Sequence, residues 1–384
     1  MTPRGRTGAA LACALILSSA ALSCASRGVG SAAGGSEAAR RPTPDRPYRV
    51  ERFRIGWYDS AGKPETPSRL RAMGFDTVMP YASRVGPDRV AAFLEAAEAE
   101  GIGVHLDVPR AMALDKDGGP LEAYVKSFAG SPSILSWYLF DEPEWKLEAT
   151  PRKMEAAYSR VKALDPVRPV SMVFILPGLS APYRGSLDRI WIDWYPLSKG
   201  SPEFAAFRGG RYADRMKDFG RRADRYGLPL TLVPQGFGED EDGEFQFLRR
   251  LPTPAETRYM FWASFLARPE ELVYWVLYRT RDDWLRDSLL PVVREFRGRF
   301  PDALEYRPSG AFRFDGGRAD SVLMGDGRGG LWLAVLSREG RERELRIEAP
   351  EGYAFPDSSG GMTREIRRRL ESYGVLLLEI SEIP

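Results

Sequence analysis

The chain has 384 residues, 43% hydrophobic and 28% charged, an ordinary globular composition with ample material for a large core. Its 55 basic and 53 acidic residues leave a net charge of only +2, with arginines scattered through every segment, so composition gives no case for a nucleic-acid surface, which needs clustered basic residues. Two cysteines (Cys13, Cys24) and one histidine (His105) exclude a disulfide, a cysteine nucleophile and a multi-histidine zinc site in the body of the chain, and argue against a Ser-His-Asp triad. Chemistry must then run on carboxylates, tyrosines, lysines or arginines.

Residues 1–24 read as an export signal. Arg4 and Arg6 precede the apolar stretch AALACALILSSAAL, which is too short to span a membrane. The following ALSC, Ala21 to Cys24, resembles the bacterial lipobox, with Ala at the position where Leu is usual. That resemblance implies acylation of Cys24 and a lipoprotein held at a membrane, in the periplasm or at the cell surface; plain secretion is the alternative. Residues 25–48, rich in Gly, Ala, Ser and Pro, form a tether that cannot bury enough apolar surface to fold.

From residue 53 the chain alternates between two patterns. RFRIGWYDS, DTVMPYAS, IGVHLDVPR, ILSWYLFDEPE, PVSMVFILP, DRIWIDWYPL, PLTLVPQGFG and LVYWVLYRT are eight short runs rich in β-branched and aromatic residues. Between most of them lie helical patterns with apolar residues three and four apart, as in 87–101, 151–166 and 253–271. Strands this apolar, alternating with helices, predict a parallel sheet covered on its faces. Eight units over residues 49–302 predict a (β/α)8 barrel, although the link LPGLSAPYRGSL after the fifth strand is too short and too rich in Gly and Pro for a full helix. A doubly wound sheet is the alternative, unsupported by any Gly-rich phosphate turn after the first strand. Residues 303–384 break into short runs separated by Gly, Asp and Pro, which predict a small C-terminal antiparallel β-domain of sandwich type.

In such a barrel the active site lies at the C-terminal ends of the strands. The polar residues at those ends are Asp59, Tyr81, Asp107, Asp141 with Glu142, Asp193 with Tyr195, Gln235 and Tyr278, with Arg110 and Arg279 as the nearby cations. A carboxyl group crowded by other carboxylates and by Trp137, Tyr138 and Phe140 is desolvated and repelled, and both effects raise its pKa. A Glu that keeps its proton near neutral pH can protonate the leaving oxygen of a glycosidic bond.

Eight βα units whose fourth strand ends W-Y-L-F-D-E-P resemble the (β/α)8 glycoside hydrolases of the clan that includes many β-galactosidases and cellulases. The resemblance covers about residues 50–300 and implies that Glu142 is the acid/base and that Asp141 takes the place of an Asn contacting a sugar hydroxyl. It implies a carbohydrate substrate and no metal or organic cofactor. The family's nucleophile is a Glu ending the seventh strand, and here that place holds Gln235. Asp193 is the first substitute and Glu239, in the acidic run EDEDGE, the second. If Glu142 and Asp193 stand well apart with room for water, an inverting mechanism follows, with Gln235 orienting the water.

Each of these residues also has a structural reading. Asp141 and Glu142 could close a strand before Pro143, Asp193 and Tyr195 could hydrogen-bond in the rim, Asp107 could cap the interior, and His105 reads as a satisfied interior residue. Of the tryptophans that invite sugar stacking, Trp57, Trp137, Trp191, Trp194 and Trp284 serve equally as core, and Trp275 with Tyr278 are the substrate-facing candidates. EDEDGE lacks the spacing of a calcium loop. Beside a glycosidase, two other functions fit: a catalytically inactive carbohydrate-binding lipoprotein, and a surface protein whose C-terminal β-domain makes the important contacts.

Overall fold

The computed structural model describes residues 46–238, 249–301 and 303–383. Signal, Cys24, most of the tether and the run containing Glu239 lie outside the described residues. Eight parallel strands close into a barrel: β2 (Arg54–Tyr58), β3 (Thr77–Met79), β4 (Gly103–Asp107), β5 (Ile134–Asp141), β6 (Val170–Phe174), β7 (Arg189–Trp194), β8 (Leu230–Pro234) and β9 (Glu271–Tyr274). Seven fall inside the apolar runs, and β9 begins one residue ahead of its run, at Glu271. The helical patterns become helices Pro87–Ala99, Pro151–Leu164 and Pro254–Ser264. The last stops short of residue 271 because Arg268 turns left-handed (φ 52°) ahead of Pro269 and Glu271 already belongs to β9. Its start is fixed by a capping box in which the Thr253 side chain accepts from the Glu256 N–H and the Glu256 carboxylate accepts from the Thr253 N–H. Between β6 and β7 stand only two short 3₁₀ turns, Pro177–Leu179 and Ala181–Ser186, as the Gly/Pro-rich link requires. Among the described residues no helix is long and apolar enough to cross a membrane.

Alternation along each strand sorts side chains between the barrel interior and the helix layer. Trp57, Trp137, Leu139, Phe140, Ile190 and Ile192 pack outward under the helices. Tyr58, Met79, Tyr138, Trp191, Val233 and Val273 fill the interior. Below them lies a polar layer. His105 Nε2 meets Glu271 Oε1 at 2.9 Å, His105 Nδ1 meets Ser136 Oγ at 2.7 Å, and the Thr77 hydroxyl donates to Glu271 at 2.8 Å. Burial opposes the Glu271 charge, but His105, Arg189 and Arg54 outweigh it and hold the pKa down to about 2. At Gly56 a side chain would strike Thr77 at 2.1 Å, so β2 and β3 approach closely only because a glycine stands there.

The C-terminal domain is a pair of antiparallel sheets. One has seven strands in the order β1 (Tyr48–Val50), β10 (Leu304–Arg307), β12 (Ala319–Gly325), β13 (Leu331–Ser337), β18 (Val375–Glu382), β15 (Tyr353–Pro356) and β16 (Met362–Thr363); the other has three, β11 (Arg313–Asp315), β14 (Arg343–Glu348) and β17 (Glu365–Leu370). Leu323, Leu333, Leu345, Ile347 and Phe355 form the core between them. The other face of the larger sheet, with Met324, Ala334 and Leu336, joins the barrel's own core. Strand β1 (Tyr48–Val50), expected in part as tether, pairs with β10 (Leu304–Arg307), so a segment preceding the barrel completes the sheet that follows it.

The buried His105–Glu271 pair yields a stability prediction. Glu271→Ala leaves the buried His105 without its carboxylate partner and lowers the unfolding free energy by about 3–5 kcal/mol, measured as a reduced urea midpoint by circular dichroism.

Candidate active site

The mouth at the C-terminal ends of β5 and β7 carries the carboxyl groups, and two backbone irregularities aim them. In regular alternation Tyr138 and Asp141 would face opposite sides. The register between β5 and β6 shifts between Tyr138 and Phe140, a bulge that sends both Leu139 and Phe140 outward and brings Asp141 back inside. Tyr138 Oη then donates to Asp141 Oδ1 at 2.7 Å, and Tyr58 Oη donates to Tyr138 Oη at 3.3 Å. Glu142 adopts a left-handed backbone (φ 51°, ψ 59°), uncommon outside glycine, and turns its carboxyl group toward the same mouth. Glu144 pins the following turn to the end of β6 by accepting the N–H groups of Ile175 (2.8 Å) and Leu176 (3.0 Å).

Asp193 reaches the mouth from β7. It is only 4% exposed, its Oδ1 has no hydrogen-bond partner, and its carboxyl group lies within hydrogen-bonding reach of Glu142 and of Tyr195. Burial first, then the Glu142 and Asp141 charges, push the Asp193 pKa well above the usual carboxylate range. Burial, Asp141 and Glu144 push Glu142 up to about 7, against Lys146 and the hydrogen bond with Asp193. Two carboxyl groups this close cannot both ionise cheaply, so they share a proton near neutral pH. Asp141 opens to solvent at the floor of a depression walled by protein; burial raises its pKa, opposed by the Tyr138 hydrogen bond and by Lys146 and Arg84.

Aromatic residues complete the mouth. Tyr81, left-handed at φ 45°, accepts a hydrogen bond from Trp275 Nε1 at 2.6 Å, and the Arg84 guanidinium lies 4.2 Å over its ring. Trp275 stacks on Tyr195 (5.4 Å, 20°), and its peptide bond to Val276 is cis. Tyr278 accepts from Arg84 at 3.4 Å at the edge. A cavity of about 270 Å³ lined by Met79, Tyr81, Arg84, Tyr138, Asp141 and Lys146 opens among these groups.

The structure thus gathers Glu142, Asp141, Asp193, Tyr195, Trp275 and Tyr278 around one mouth. Two expected residues are differently employed. Asp107 lines the cavity, but its carboxylate accepts the N–H groups of Ala82 and Ser83 (3.0 Å for Ser83), capping the turn that carries Tyr81. Gln235 is fully buried; its Oε1 accepts the Leu197 N–H at 3.1 Å, and its Nε2 donates to the carbonyls of Leu197, Phe237 and Arg250 (2.8 Å for Arg250). It ties loops together and has no donor left to orient a water. The spacing required for an inverting pair is also not met, since Glu142 and Asp193 lie within hydrogen-bonding reach, far closer than the roughly 6.5–9.5 Å that leaves room for a nucleophilic water. Asp59 accepts from the Thr66 hydroxyl (2.8 Å), and Arg110 pairs with Glu148. Trp57, Trp137 and Trp191 are wholly buried. Sequence reasoning missed Tyr58 and Lys146 as neighbours of Asp141; for Tyr58 the available signal was its place on the interior-facing parity of its strand. Among the described residues no grouping of His, Cys, Asp or Glu is arranged to hold a metal ion.

No family model matches the chain, and no curated protein is similar to it in sequence. Solved structures are similar in fold. A GH27 β-L-arabinopyranosidase from Geobacillus stearothermophilus aligns with a TM-score of 0.54 and 10% identity, over 87% of this chain and 98% of its own. The cold-adapted β-galactosidase from Rahnella sp. R3 gives 0.56 and 9%, over 87% and 99%. Amy13B from Eubacterium rectale gives 0.56 and 9%, over 88% and 98%. The shared feature is the (β/α)8 architecture with its added β-domain, a span longer than the barrel alone.

The backbone cage around Gln235 makes a testable point. Gln235→Glu sets a carboxylate oxygen against three carbonyls and lowers stability by at least about 2 kcal/mol, read as a lower urea midpoint. A Gln235→Glu protein as stable as the parent would show that the cage is not the reason for Gln.

Proposed function

We propose that this protein is a glycoside hydrolase that cleaves O-glycosidic bonds of an oligo- or polysaccharide, with Glu142 as general acid. The observation that carries this reading is the placement of Glu142 at the C-terminal mouth of the barrel, turned inward by a left-handed backbone and raised by burial and by the Asp141 charge to a pKa of about 7. Such a group still carries its proton at neutral pH and gives it to a leaving oxygen. Asp193, buried behind it, acts as a positioning residue: it shares the proton and fixes the direction of the carboxyl group. The stacked Trp275 and Tyr195 offer an aromatic wall at a barrel mouth, where the apolar face of a pyranose packs well. The barrel likeness to glycosidases supports the same reading by analogy of fold.

We place the enzyme outside the cytoplasm, held at a membrane through a lipid on Cys24. The support is the sequence alone, ALSC after a short apolar leader. Cys24→Ser would then move the protein from the membrane to the soluble fraction; retention on the membrane would sink the anchor.

Incubation with a panel of glycans, scored for new reducing ends, tests the activity. Cleavage is expected from the parent, with Glu142→Gln losing on the order of 10²–10⁴-fold. Because the acid must be protonated, kcat/KM falls as pH rises through about 7. Asp193→Ala lowers turnover; unchanged turnover removes Asp193 from the mechanism. Glycan bound intact and never cleaved would favour an inactive carbohydrate-binding protein, the reading that Gln235 at the usual nucleophile position also supports.

A further inference from the structure

A retaining glycosidase needs a nucleophile on the face of the sugar opposite the leaving group. Among the described residues no carboxylate stands at the end of the seventh barrel strand, β8, where Gln235 is enclosed by backbone. Asp193 is nine-tenths buried and lies against Glu142, on the acid's own side. What the cavity does present is a matched donor and acceptor. Asp141 uses Oδ1 to receive the Tyr138 proton, and its Oδ2 has no donor among the described residues. Tyr81 Oη accepts from Trp275 and keeps its own proton to give, with no acceptor for it among the described residues. Both groups line the same cavity, with the Met79 side chain as an apolar wall. With Arg84, Arg110 and Lys146 on the same lining, the acceptor Asp141, the donor Tyr81 and the apolar Met79 are complementary to the N–H, the C=O and the methyl group of an acetamide. Asp193 Oδ1, buried without a partner, is a further polar atom that the protein itself leaves unsatisfied beside the site.

We propose that the sugar cleaved carries a 2-acetamido group, that this group is the nucleophile, and that Asp141 and Tyr81 hold it. This rests on the glycosidase reading above and adds the substrate class. In the first step the acetamide oxygen forms a bond to the anomeric carbon. The bond from that carbon to the leaving oxygen breaks, its electron pair stays on the oxygen, and the Glu142 proton goes to it. Asp141 accepts the amide N–H as positive charge develops on the acetamide, and a bicyclic oxazoline results. In the second step water adds to the anomeric carbon and gives one proton to the Glu142 carboxylate. The ring C–O bond opens, and the acetamide regains its N–H from Asp141. The sum is one glycoside plus one water to two hydroxyl products, with retained configuration. Attack from the face opposite the leaving group demands that acetamide and leaving group be trans, so the substrate is a 1,2-trans glycoside such as a β-linked N-acetylglucosaminide. The cavity, at about 270 Å³, is just below the roughly 300 Å³ of ligand-sized sites; it takes the acetamide group, with the sugar ring at its opening toward Glu142.

The test uses the full chain and 4-methylumbelliferyl β-glycosides. The 2-acetamido glucoside and galactoside are compared with their 2-hydroxy counterparts, and the acetamide is then replaced by mono-, di- and trifluoroacetamide. Cleavage confined to the acetamido sugars, with kcat falling at each fluorine because the carbonyl oxygen loses nucleophilicity, is the expected result. Asp141→Asn should lose on the order of 10²-fold in kcat with a smaller change in KM, and should lose binding of the N-acetylglucosamine-derived thiazoline, a stable copy of the bicyclic intermediate, by calorimetry. Cleavage of the 2-hydroxy sugars at comparable rate, or a rate indifferent to fluorine, overturns the inference and leaves the glycosidase reading standing. No cleavage of any glycoside together with no thiazoline binding overturns both.

Discussion

Like-charge repulsion at the barrel mouth is the constraint around which the site is built. Asp141, Glu142, Glu144 and Asp193 come from two strands and one turn; beyond burial, Asp141 and Glu144 raise the cost of ionising Glu142, and Glu142, Asp141 and Glu144 that of ionising Asp193. An arrangement of this kind survives only where the surroundings leave the carboxyl groups no other place to go. Here the surroundings are the β5 bulge, the left-handed Glu142 and Tyr81, the pair of N–H groups that hold Glu144, and the aromatic packing of Tyr58, Tyr138 and Trp191 beneath. The result is proton sharing in place of charge separation.

The two ends of the barrel interior answer the same problem differently. Toward the N-terminal ends of the strands, Glu271 lies against His105, near Arg189, and accepts from the hydroxyls of Thr77 and Thr231, and its charge is balanced in place. At the opposite end the cations Arg84 and Lys146 are near enough to temper Asp141 but do not form ion pairs with Glu142 or Asp193 among the described residues. One end is thereby a fixed structural pair and the other a set of groups poised to exchange protons, which matches the general division between stability and chemistry at the two faces of this fold.

Most of the architecture was legible in the chain because it rests on local pattern. Eight apolar runs gave eight barrel strands, and Pro-initiated amphipathic stretches gave helices in the expected places. The carboxylates at strand ends were legible for the same reason, as polar residues ending apolar runs. What escaped depends on contacts between distant positions. Gln235 is committed by carbonyls at Leu197, Phe237 and Arg250, and nothing in PLTLVPQGFG announces them. Asp107 is committed by amides of the preceding βα turn. A bulge has no signature in an unbroken apolar run, so the pairing of Tyr138 with Asp141 could not be read from their spacing. The separation of Glu142 and Asp193 was beyond sequence for the same reason, because it depends on how far two side chains lean across a shared opening.

The strand β1 that closes the edge of the larger C-terminal sheet has a consequence for the order of events during folding. Its partner, β10, arrives only after all eight barrel strands. A chain that emerges from its N-terminus can assemble the barrel from neighbouring βα units while Tyr48–Val50 still waits. Closing so long a loop is entropically disfavoured until the barrel has shortened it. The first strand among the described residues is therefore among the last to be seated, and its pairing acts as a late seal between the barrel and the domain that follows it.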